Sequence, residues 1–598
     1  MALRGILGGP GDALEAMAAP FAAEAEAVDR APGHAWGRVG PRTTLVEVDG
    51  ARALLMGRPR LAGDGDLGAV ARRMLRLWRA DRDWLPVEMQ GAFAFALVDP
   101  GRREALLAVD RAGAEALAWA LTDEGPVFAT RADAVAAHPR LGAELDLQGI
   151  YNYLFFEKVP SPGTVFRGVS KLRPAEYLRW RGGKVEQGFY WQMPYVDRGG
   201  DFEALREEFH GVLDRSVARA AEGTDKDQGG AFLSGGIDSS TVCGELARLV
   251  WRPTDAFSIG FSAEGYDEMA YARLAARHFG LRHHNYYVTP ADVLQLVPRI
   301  AAAYDEPFGN ASAVPTYYCA RLAVDQGKAV LIAGDGGDEI FGGNSRYAHQ
   351  LLFEHYARVP VLLRHGLLEP LARLPGAARL FPLRKLRSYI EQARVPLPDR
   401  MESYNFLRRT PLEQALTPEF LAAIDPEGPL DNLREVYFRA ASQDPLQRML
   451  HLDIKITLAD SDLRKVNRMC DLAGVEVRYP LLDDEMLDFS GRVPPALKIK
   501  KGRLRWFFKE SVRGFLPDEI LAKKKHGFGL PTGVWLRDDP DLAAHAIARL
   551  EALEARGWVR PEFIREQVRR MREEHAGYYG VMVWILMMLE EWLQAHGR

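Results

Sequence analysis

The sequence predicts an α/β protein in two parts, the second carrying a long helical extension. Three observations lead there. Short apolar runs separated by turn residues crowd residues 1–195, as packed antiparallel sheets with covering helices require. From residue 202 to about Gly343, strand-like and helix-like segments alternate, the pattern of a doubly wound parallel sheet. Past Gly343 the periodicity becomes helical, interrupted by Pro360, Pro370, Pro375 and Pro382, so 343–598 reads as an all-α extension.

Composition narrows the function. The 598 residues leave room for about four domains, or for two or three large α/β units. Hydrophobic content of 47% and charged content of 26% are those of an ordinary globular protein. A net charge of −4 leaves no basic footprint, so nucleic acid is not an expected partner. Cys243, Cys319 and Cys470 are scattered without ligand spacing and fit a reducing, cytoplasmic setting. No Lys/Arg-led apolar segment opens the chain, so no signal peptide is expected. The apolar run 577–589 is thirteen residues long, too short to span a bilayer, and Glu590-Glu591 end it. It reads as a buried C-terminal helix, and no membrane association is expected.

In the first part, strands are expected at 43–48, 53–56, 92–98, 105–109 and 127–129, with a helix at 67–80. Pro, Gly and charge cluster at 194–201, where a boundary separates a first domain, 1–195, from a second, 202–598. A helix at 202–220 leads to a strand at 231–233. Later strands are expected at 256–261 and 329–333.

The chain is organised around Gly229 to Ser240. A buried strand breaks at Ser234-Gly235-Gly236 and a helix follows from Ser239. Strand, glycine turn and helix start make a phosphate cradle: glycines let the backbone approach, and unpaired helical N–H groups point at the anion. Ser234, Ser239 and Ser240 add donors, while Asp238 can face a phosphate only across a cation, which suggests Mg²⁺. Phe257-Ser258-Ile259-Gly260 ends the next strand, where adenine could meet apolar walls and backbone groups; a plain core strand explains the same side chains. Gly334-Asp335-Gly336-Gly337-Asp338-Glu339 follows a later strand. Three carboxylates on so short a loop repel one another unless a cation joins them, and Asp238 and Asp338 are the candidate Mg²⁺ ligands. The alternative is a solvated acidic turn. Lys523-Lys524-Lys525 is either a phosphate-facing cluster or a solvated basic turn. The His283-His284 pair has no metal-site spacing.

The Ser-Gly-Gly-Ile-Asp-Ser stretch, 234–239, resembles the pyrophosphatase loop of the N-type ATP pyrophosphatases, and no Walker loop surrounds it. The rest of the chain is similar to asparagine synthetases. In the second half the resemblance rests on Gly334 to Glu339, Asp305-Glu306-Pro307-Phe308, 312–316, 462–478, Pro480 to Asp483 and 523–529. In the first it rests on 91–97, Asp110-Arg111-Ala112-Gly113, Ala136 to Pro139 and 147–191. It implies an α/β/β/α glutaminase-like domain of the N-terminal-nucleophile type and a C-terminal ATP-pyrophosphatase domain. Further implications are ATP and Mg²⁺ as cofactors, and cations at Arg464, Lys465, Arg468, Arg478 and Lys525 that meet phosphate charge. Asp335 stands where asparagine synthetases carry an acid and β-lactam synthetases a tyrosine.

Two departures lie in the first half. The family's Met-Cys-Gly-Ile is replaced by Arg4-Gly5-Ile6, no cysteine precedes Cys243, and Met56 to Arg60 takes the place of Asn-Gly-Glu-Ile-Tyr-Asn. This half is therefore expected to be a structural or docking unit without glutaminase activity. In the second half, Arg505 takes the place of the family's catalytic lysine, keeping charge but not proton shuttling, with Lys500 or Lys501 as substitutes. Arg505, Asp335 and Glu339 are the candidate catalytic residues. The resemblance implies an amide-bond ligase that adenylates a small-molecule or peptide carboxylate and then admits ammonia or an amine. Ammonia-dependent asparagine synthesis is the alternative, a nucleotide-binding pseudoenzyme the third reading, and a homodimer is compatible with each.

Overall fold

The computed structural model describes residues 2–7, 13, 16–17, 26–31, 34–39, 42–61, 66–80, 85–263, 265–373, 381–523 and 529–598. The N-terminal strands are β1 (Ala2–Leu7), β2 (Glu26–Ala31), β3 (His34–Val39), β4 (Thr43–Val48) and β5 (Ala51–Gly57). Helix α1 (Leu67–Arg79) follows, with Asp66 accepting from the Ala69 N–H at its N-terminus. Then come β6 (Phe93–Asp99), β7 (Glu104–Val109), β8 (Ala118–Thr122), β9 (Gly125–Ala129), α2 (Ala132–Ala136), α3 (Leu147–Phe156), β10 (Ser170–Lys171), β11 (Glu176–Arg181) and β12 (Lys184–Phe189).

These strands form two antiparallel six-stranded sheets, ordered β10-β8-β9-β1-β3-β2 and β12-β11-β7-β6-β5-β4. Strand alternation divides the apolar side chains between two cores. Leu54, Met56, Ala94 and Ala96 face the other sheet, where Phe128 meets them. Their neighbours Ala53, Leu55, Phe93 and Phe95 face the opposite way, onto Val70, Met74 and Trp78 of α1. On the far side, α2 and α3 cover Ala120 and Val127. The result is the four-layer α/β/β/α arrangement.

The second half opens with α4 (Phe202–Ala221) and the sequence β13 (Gly229–Phe232), α5 (Ile237–Leu249), β14 (Asp255–Phe261), α6 (Met269–Phe279) and β15 (Arg282–Val288). It continues through α7 (Pro290–Ala303), α8 (Ala313–Asp325), β16 (Val330–Ile332), α9 (Gly337–Phe341) and α10 (Ser345–Arg358). The parallel sheet runs β15-β14-β13-β16-β17, where β17 is Glu476–Arg478. The order reverses between β13 and β16, and such a switch point opens a crevice at the strands' C-terminal ends.

β17 corrects the expectation of an all-α region after Gly343. Three residues between Gly474 and Pro480 are too few for a readable period, yet Val330, Leu331 and Ile332 pair with Glu476, Val477 and Arg478 in parallel register. The remainder is helical. The C-terminal helix Ala576–Ala595 is buried along Met582 to Leu589. It accepts the Tyr153 hydroxyl at the Ile585 carbonyl, 2.8 Å away. Among the described residues, no helix is long and apolar enough to cross a membrane.

The two halves are joined by polar contacts, most of them partly buried. Arg58 meets Glu476 at 3.4 Å, and Arg60 meets Asp483 at 3.1 Å. Arg111 reaches Asp484 and Asp488 at 3.2 and 3.0 Å, and Trp191 Nε1 donates to Asp488. Lys171 pairs with Glu306 at 2.6 Å, both almost fully buried. Arg58 and Arg60 thus face the second half.

Candidate active site

The first loop leaves β13 at Phe232, with the Leu233 N–H held by the Phe257 carbonyl at 2.8 Å. Gly235 turns the chain at φ +70°, where a Cβ would lie 2.4 Å from the Ala272 nitrogen, so glycine is required twice over. Helix α5 begins at Ile237, two residues earlier than the sequence indicates, and Asp238 lies in its first turn. An acid is favoured there by the helix dipole. Ser234 and Ser239 tie the loop to itself through hydroxyls 3.0 Å apart.

The second loop leaves β16 and turns at Gly336, φ +98°, into α9. It presses against the first with no room for side chains. A Cβ on Gly334 would lie 2.8 Å from the Ser239 nitrogen, and one on Gly337 would lie 2.3 Å from Asp238 Oδ1.

Arg505 joins the two loops. It occupies a left-handed conformation, φ 51° and ψ 35°, before the helix Trp506–Ser511, and its N–H donates to the Gly342 carbonyl at 3.2 Å. Its Nη1 lies 2.5 Å from Asp238 Oδ2 and 2.9 Å from Asp338 Oδ1. Burial opposes the guanidinium charge, but Asp238 and Asp338 more than offset it and hold its pKa above the ordinary value. The cation that the paired acids call for is thus supplied by the chain itself.

Around this bridge lies a cavity of about 450 Å³ at the C-terminal ends of β13, β14 and β16. Ser234, Gly236, Asp238, Ser239, Phe257, Ser258, Ile259, Gly334, Asp335, Gly336, Asp338, Glu339 and Arg505 all line it. Desolvation pushes the Asp335 carboxyl up to about 6, against the pull of Lys465. Asp462 holds the Lys465 ammonium at 2.8 Å. Glu339 stands within electrostatic reach of both Arg505 and Lys465. Lys523 also lines the cavity, 3.0 Å from Glu268 Oε2 and 3.4 Å from the Gly235 carbonyl.

Several expected residues lie elsewhere. Gly235 backs onto α6, Gly260 packs under the Tyr287 ring, and Ser240 is fully buried in the helix, so none of the three lines the cavity. Lys525 lies outside the described residues. The Ser258 hydroxyl is taken up by the Leu233 carbonyl and by His283 Nε2 at 2.7 Å, leaving only its backbone for a ligand. His284 meets Asp255 at 2.9 Å, a structural contact. Arg464 and Arg468 turn to Asp305, at 2.6 and 3.6 Å, and Arg478 to Glu476 and the Ala220 carbonyl, so these three do not face phosphate. Asp305 and Glu306 anchor the N-terminal half, Asp305 accepting from the Ala132 N–H and Glu306 from Lys171. Arg4 is buried in β1. Glu268 and Asn310 line the cavity without any sequence signal for Glu268; Asn310 sits between two stretches that resemble the family.

The residues present fit a divalent cation bound together with phosphates. Asp238 and Asp338 offer hard oxygen donors on the wall of the cavity. Magnesium characteristically takes one or two carboxylates and completes its shell with water and substrate phosphates. Among the described residues no group of three or more His, Cys, Asp or Glu is placed to hold a metal without such help.

Comparisons with known proteins agree with this geometry. The asparagine synthase family model matches residues 208–594, and a glutamine amidotransferase domain model matches residues 74–191. "Asparagine synthetase [glutamine-hydrolyzing] 1" of Bacillus subtilis (strain 168) is 25% identical over 78% of this chain and 72% of its own length. A "Putative asparagine synthetase [glutamine-hydrolyzing]" of Mycobacterium bovis is 29% identical over 75% of this chain and 68% of its own. "Amidase chry2" of Gibberella zeae is 26% identical over 75% and 70%. With a synthase-type loop pair facing one cavity and the family model covering more than half its length, the chain belongs to the asparagine synthase family, whose members are ATP-dependent carbon–nitrogen ligases.

Proposed function

We propose that the protein adenylates a carboxylate with ATP and passes the activated acyl group to ammonia or an amine. The observation that carries this reading is the meeting of the Ser234–Ser239 and Gly334–Glu339 loops around Arg505 in one cavity. In the proposed reaction, a carboxylate oxygen attacks the α-phosphorus of ATP, and the bond to the β-phosphate oxygen breaks to release pyrophosphate. The nitrogen nucleophile then attacks the acyl carbon, and AMP leaves.

The chain's residues divide this work. Loop N–H groups and the α5 N-terminus receive phosphate oxygens, and the backbone of Phe257 to Ile259 receives adenine. Arg505 stabilises charge on the α-phosphate, where a fixed cation in a water-poor site is most effective. Asp335, with its carboxyl near neutrality at about 6, takes the proton that the nitrogen loses. Glu339 and Lys465 orient the acyl substrate. Asp238 and Asp338 would hold Mg²⁺, which when bound neutralises the phosphate charge. The N-terminal half, 1–195, docks without hydrolysing glutamine, and 202–598 carries the chemistry.

The names of the relatives favour aspartate as the first carboxylate to test, with ammonium as nitrogen donor. The decisive assay is the nucleotide product: AMP and pyrophosphate support the reading, while ADP and orthophosphate overturn it. Asp238→Asn should lower turnover by at least about tenfold, because a ligand to the phosphate-bound cation contributes several kcal/mol to the transition state.

A further inference from the structure

A second cavity, of about 100 Å³, lies between the two halves and shares no lining residue with the first. Arg42, Arg58, Arg60, Arg111, Arg219 and Arg478 line it, against the four carboxylates Asp110, Glu115, Asp483 and Asp484. Asp110 is taken up by the backbone N–H groups of Phe93, Ala112, Ala114 and Glu115. Glu476, Glu485 and Asp488 hold Arg58, Arg219 and Arg111 without lining the cavity themselves. Burial pushes the Asp484 carboxyl up to about 6 and the Glu115 carboxyl up to about 7. Both therefore take up a proton readily when an anion approaches their arginines.

These pairs do not exhaust the donors. Among the described residues, Arg60 hydrogen-bonds Asp483 and Asp484 through Nη2, at 3.1 and 3.4 Å, and leaves Nε and Nη1. Arg219 grips Asp483 and Glu485 through Nε and Nη2 and leaves Nη1. The side chains of Arg58 and Arg60 are each 37% exposed, so solvent reaches the cavity past them. Ser216 lies deeper. It is 1% exposed, it lines the same cavity, and its hydroxyl has no hydrogen-bond partner among the described residues. It does not bond back to its own helix, as a buried helical serine can. A buried hydroxyl of this kind calls for a partner from outside the chain. Ser216 and Arg219, three apart on α4, share one helical face.

We propose that this cavity binds a small oxyanion of the phosphate class, inorganic phosphate or pyrophosphate, across the joint between the halves. Arg60 from the first half, with Arg219 and Ser216 from the second, donates to it. The guanidinium fork matches phosphate oxygens. Donors on separate elements suit a tetrahedral group, whose oxygens point in several directions, better than a planar carboxylate. Arg58 and Arg60 belong to the segment in which the chain departs from the asparagine synthetases, so this side of the lining is its own. Because the anion needs donors from both halves, it stabilises their docked arrangement by mass action. The site stands apart from the reaction proposed for the first cavity and does not depend on it.

Calorimetric titration of the full-length protein with sodium phosphate and, separately, with sodium pyrophosphate tests this, alongside melting in each anion. At least one anion should bind saturably and raise the melting temperature. Tighter binding of pyrophosphate assigns the site to a product of ATP cleavage, and equal or tighter binding of phosphate assigns it to the free ion. Arg60→Gln and Ser216→Ala should each weaken the binding by about tenfold or more, since each removes a hydrogen bond to a charged group. Ser216→Ala should melt no lower than the parent without anion, because the hydroxyl it removes has no partner in the chain. An anion held in the Ser234–Ser239 cradle is an internal control, which neither variant touches. Absence of saturable binding at millimolar phosphate and pyrophosphate would overturn the proposal. So would binding that both variants leave unchanged, which would place the anion in the cradle, or an affinity indifferent to Ser216→Ala, which would leave that hydroxyl to water. Tighter binding of malonate than of either phosphate would overturn the ligand class.

Discussion

Replacing Arg505 by Met removes the guanidinium that bridges Asp238 and Asp338 while keeping most of the side-chain volume. The two contacts, 2.5 and 2.9 Å long, lie in a site where the aspartates are only 17% and 16% exposed. Removing one member of a buried charge cluster costs about 3–5 kcal/mol, and the residual exposure here places the cost near the lower end, about 3 kcal/mol. That corresponds to roughly two decades in any equilibrium that requires both carboxylates to remain ionised and close. Melting of the ligand-free protein with and without MgCl₂ reads this without knowledge of the substrate. Wild type should respond little to Mg²⁺, because its carboxylates already share a cation. Arg505→Met should melt lower and recover part of the loss in millimolar Mg²⁺. Arg505→Lys should fall between, since an ammonium is a point charge that cannot fork across both acids as a guanidinium does. In exchange of labelled pyrophosphate into ATP, and in amide formation, Met should lose most of the rate and Lys retain much of it. A Met variant that melts like wild type, ignores Mg²⁺ and keeps both rates would refute the bridge and Arg505's assignment to the site.

Three further outcomes are expected. Purified protein should release no glutamate from glutamine above the buffer rate if, as the resemblance implies, Arg4 stands where the family carries its cysteine; activity that survives Arg4→Ala would reveal another nucleophile. Gly337→Ala should slow ATP turnover by about a hundredfold and lower the melting temperature, since a Cβ 2.3 Å from Asp238 Oδ1 would push that carboxylate away from Arg505; wild-type turnover and melting would show that the two loops tolerate separation. Burial lowers the Lys498 ammonium to about 7, well below its unfolded value of 10.5, so the unfolded chain binds the extra proton between those limits and stability rises with pH across that window. Lys498→Met should flatten the rise by up to about 1.4 kcal/mol per pH unit in denaturant titrations, and an unchanged slope would show that Lys498 stays charged when folded.

The parts of the site that were legible in the sequence are those in which backbone does the work. Ser234-Gly235-Gly236 and Gly334 to Gly337 announce close approach by composition alone: Gly235 and Gly336 turn at positive φ, and Gly334 and Gly337 leave no room for a Cβ. Side-chain direction was the obscure part. Arg464, Lys465 and Arg468 look equivalent in a row, but positions four apart share a helical face. Arg464 and Arg468 therefore turn together toward Asp305, while Lys465, about a quarter-turn away, faces the cavity. Ser240 was misassigned for the same reason: once the helix begins at Ile237, its fourth residue points into the core. Arg505 could be located only by resemblance, and its contact with both aspartates depends on a left-handed backbone turn that no periodicity encodes.

The late arrival of β17 has a consequence for how the chain is made. Val330 has no parallel neighbour on its outer side until Glu476 has been synthesised, and the intervening segment must be ordered or held aside in the meantime. Contacts this distant in sequence form slowly, and an open strand edge invites association with other chains. The N-terminal sheets, whose strands pair within the first 189 residues, can be complete before that point. A ribosome-bound chain stopped between β16 and β17 would therefore carry a finished first half and a sheet with one bare margin. Arg58 and Arg60 would still await Glu476 and Asp483. The same short strand that closes the sheet also brings Glu476 to Arg58, so this part of the docking, unlike the contacts of Lys171 and Ala132 with Glu306 and Asp305, waits for closure of the fold.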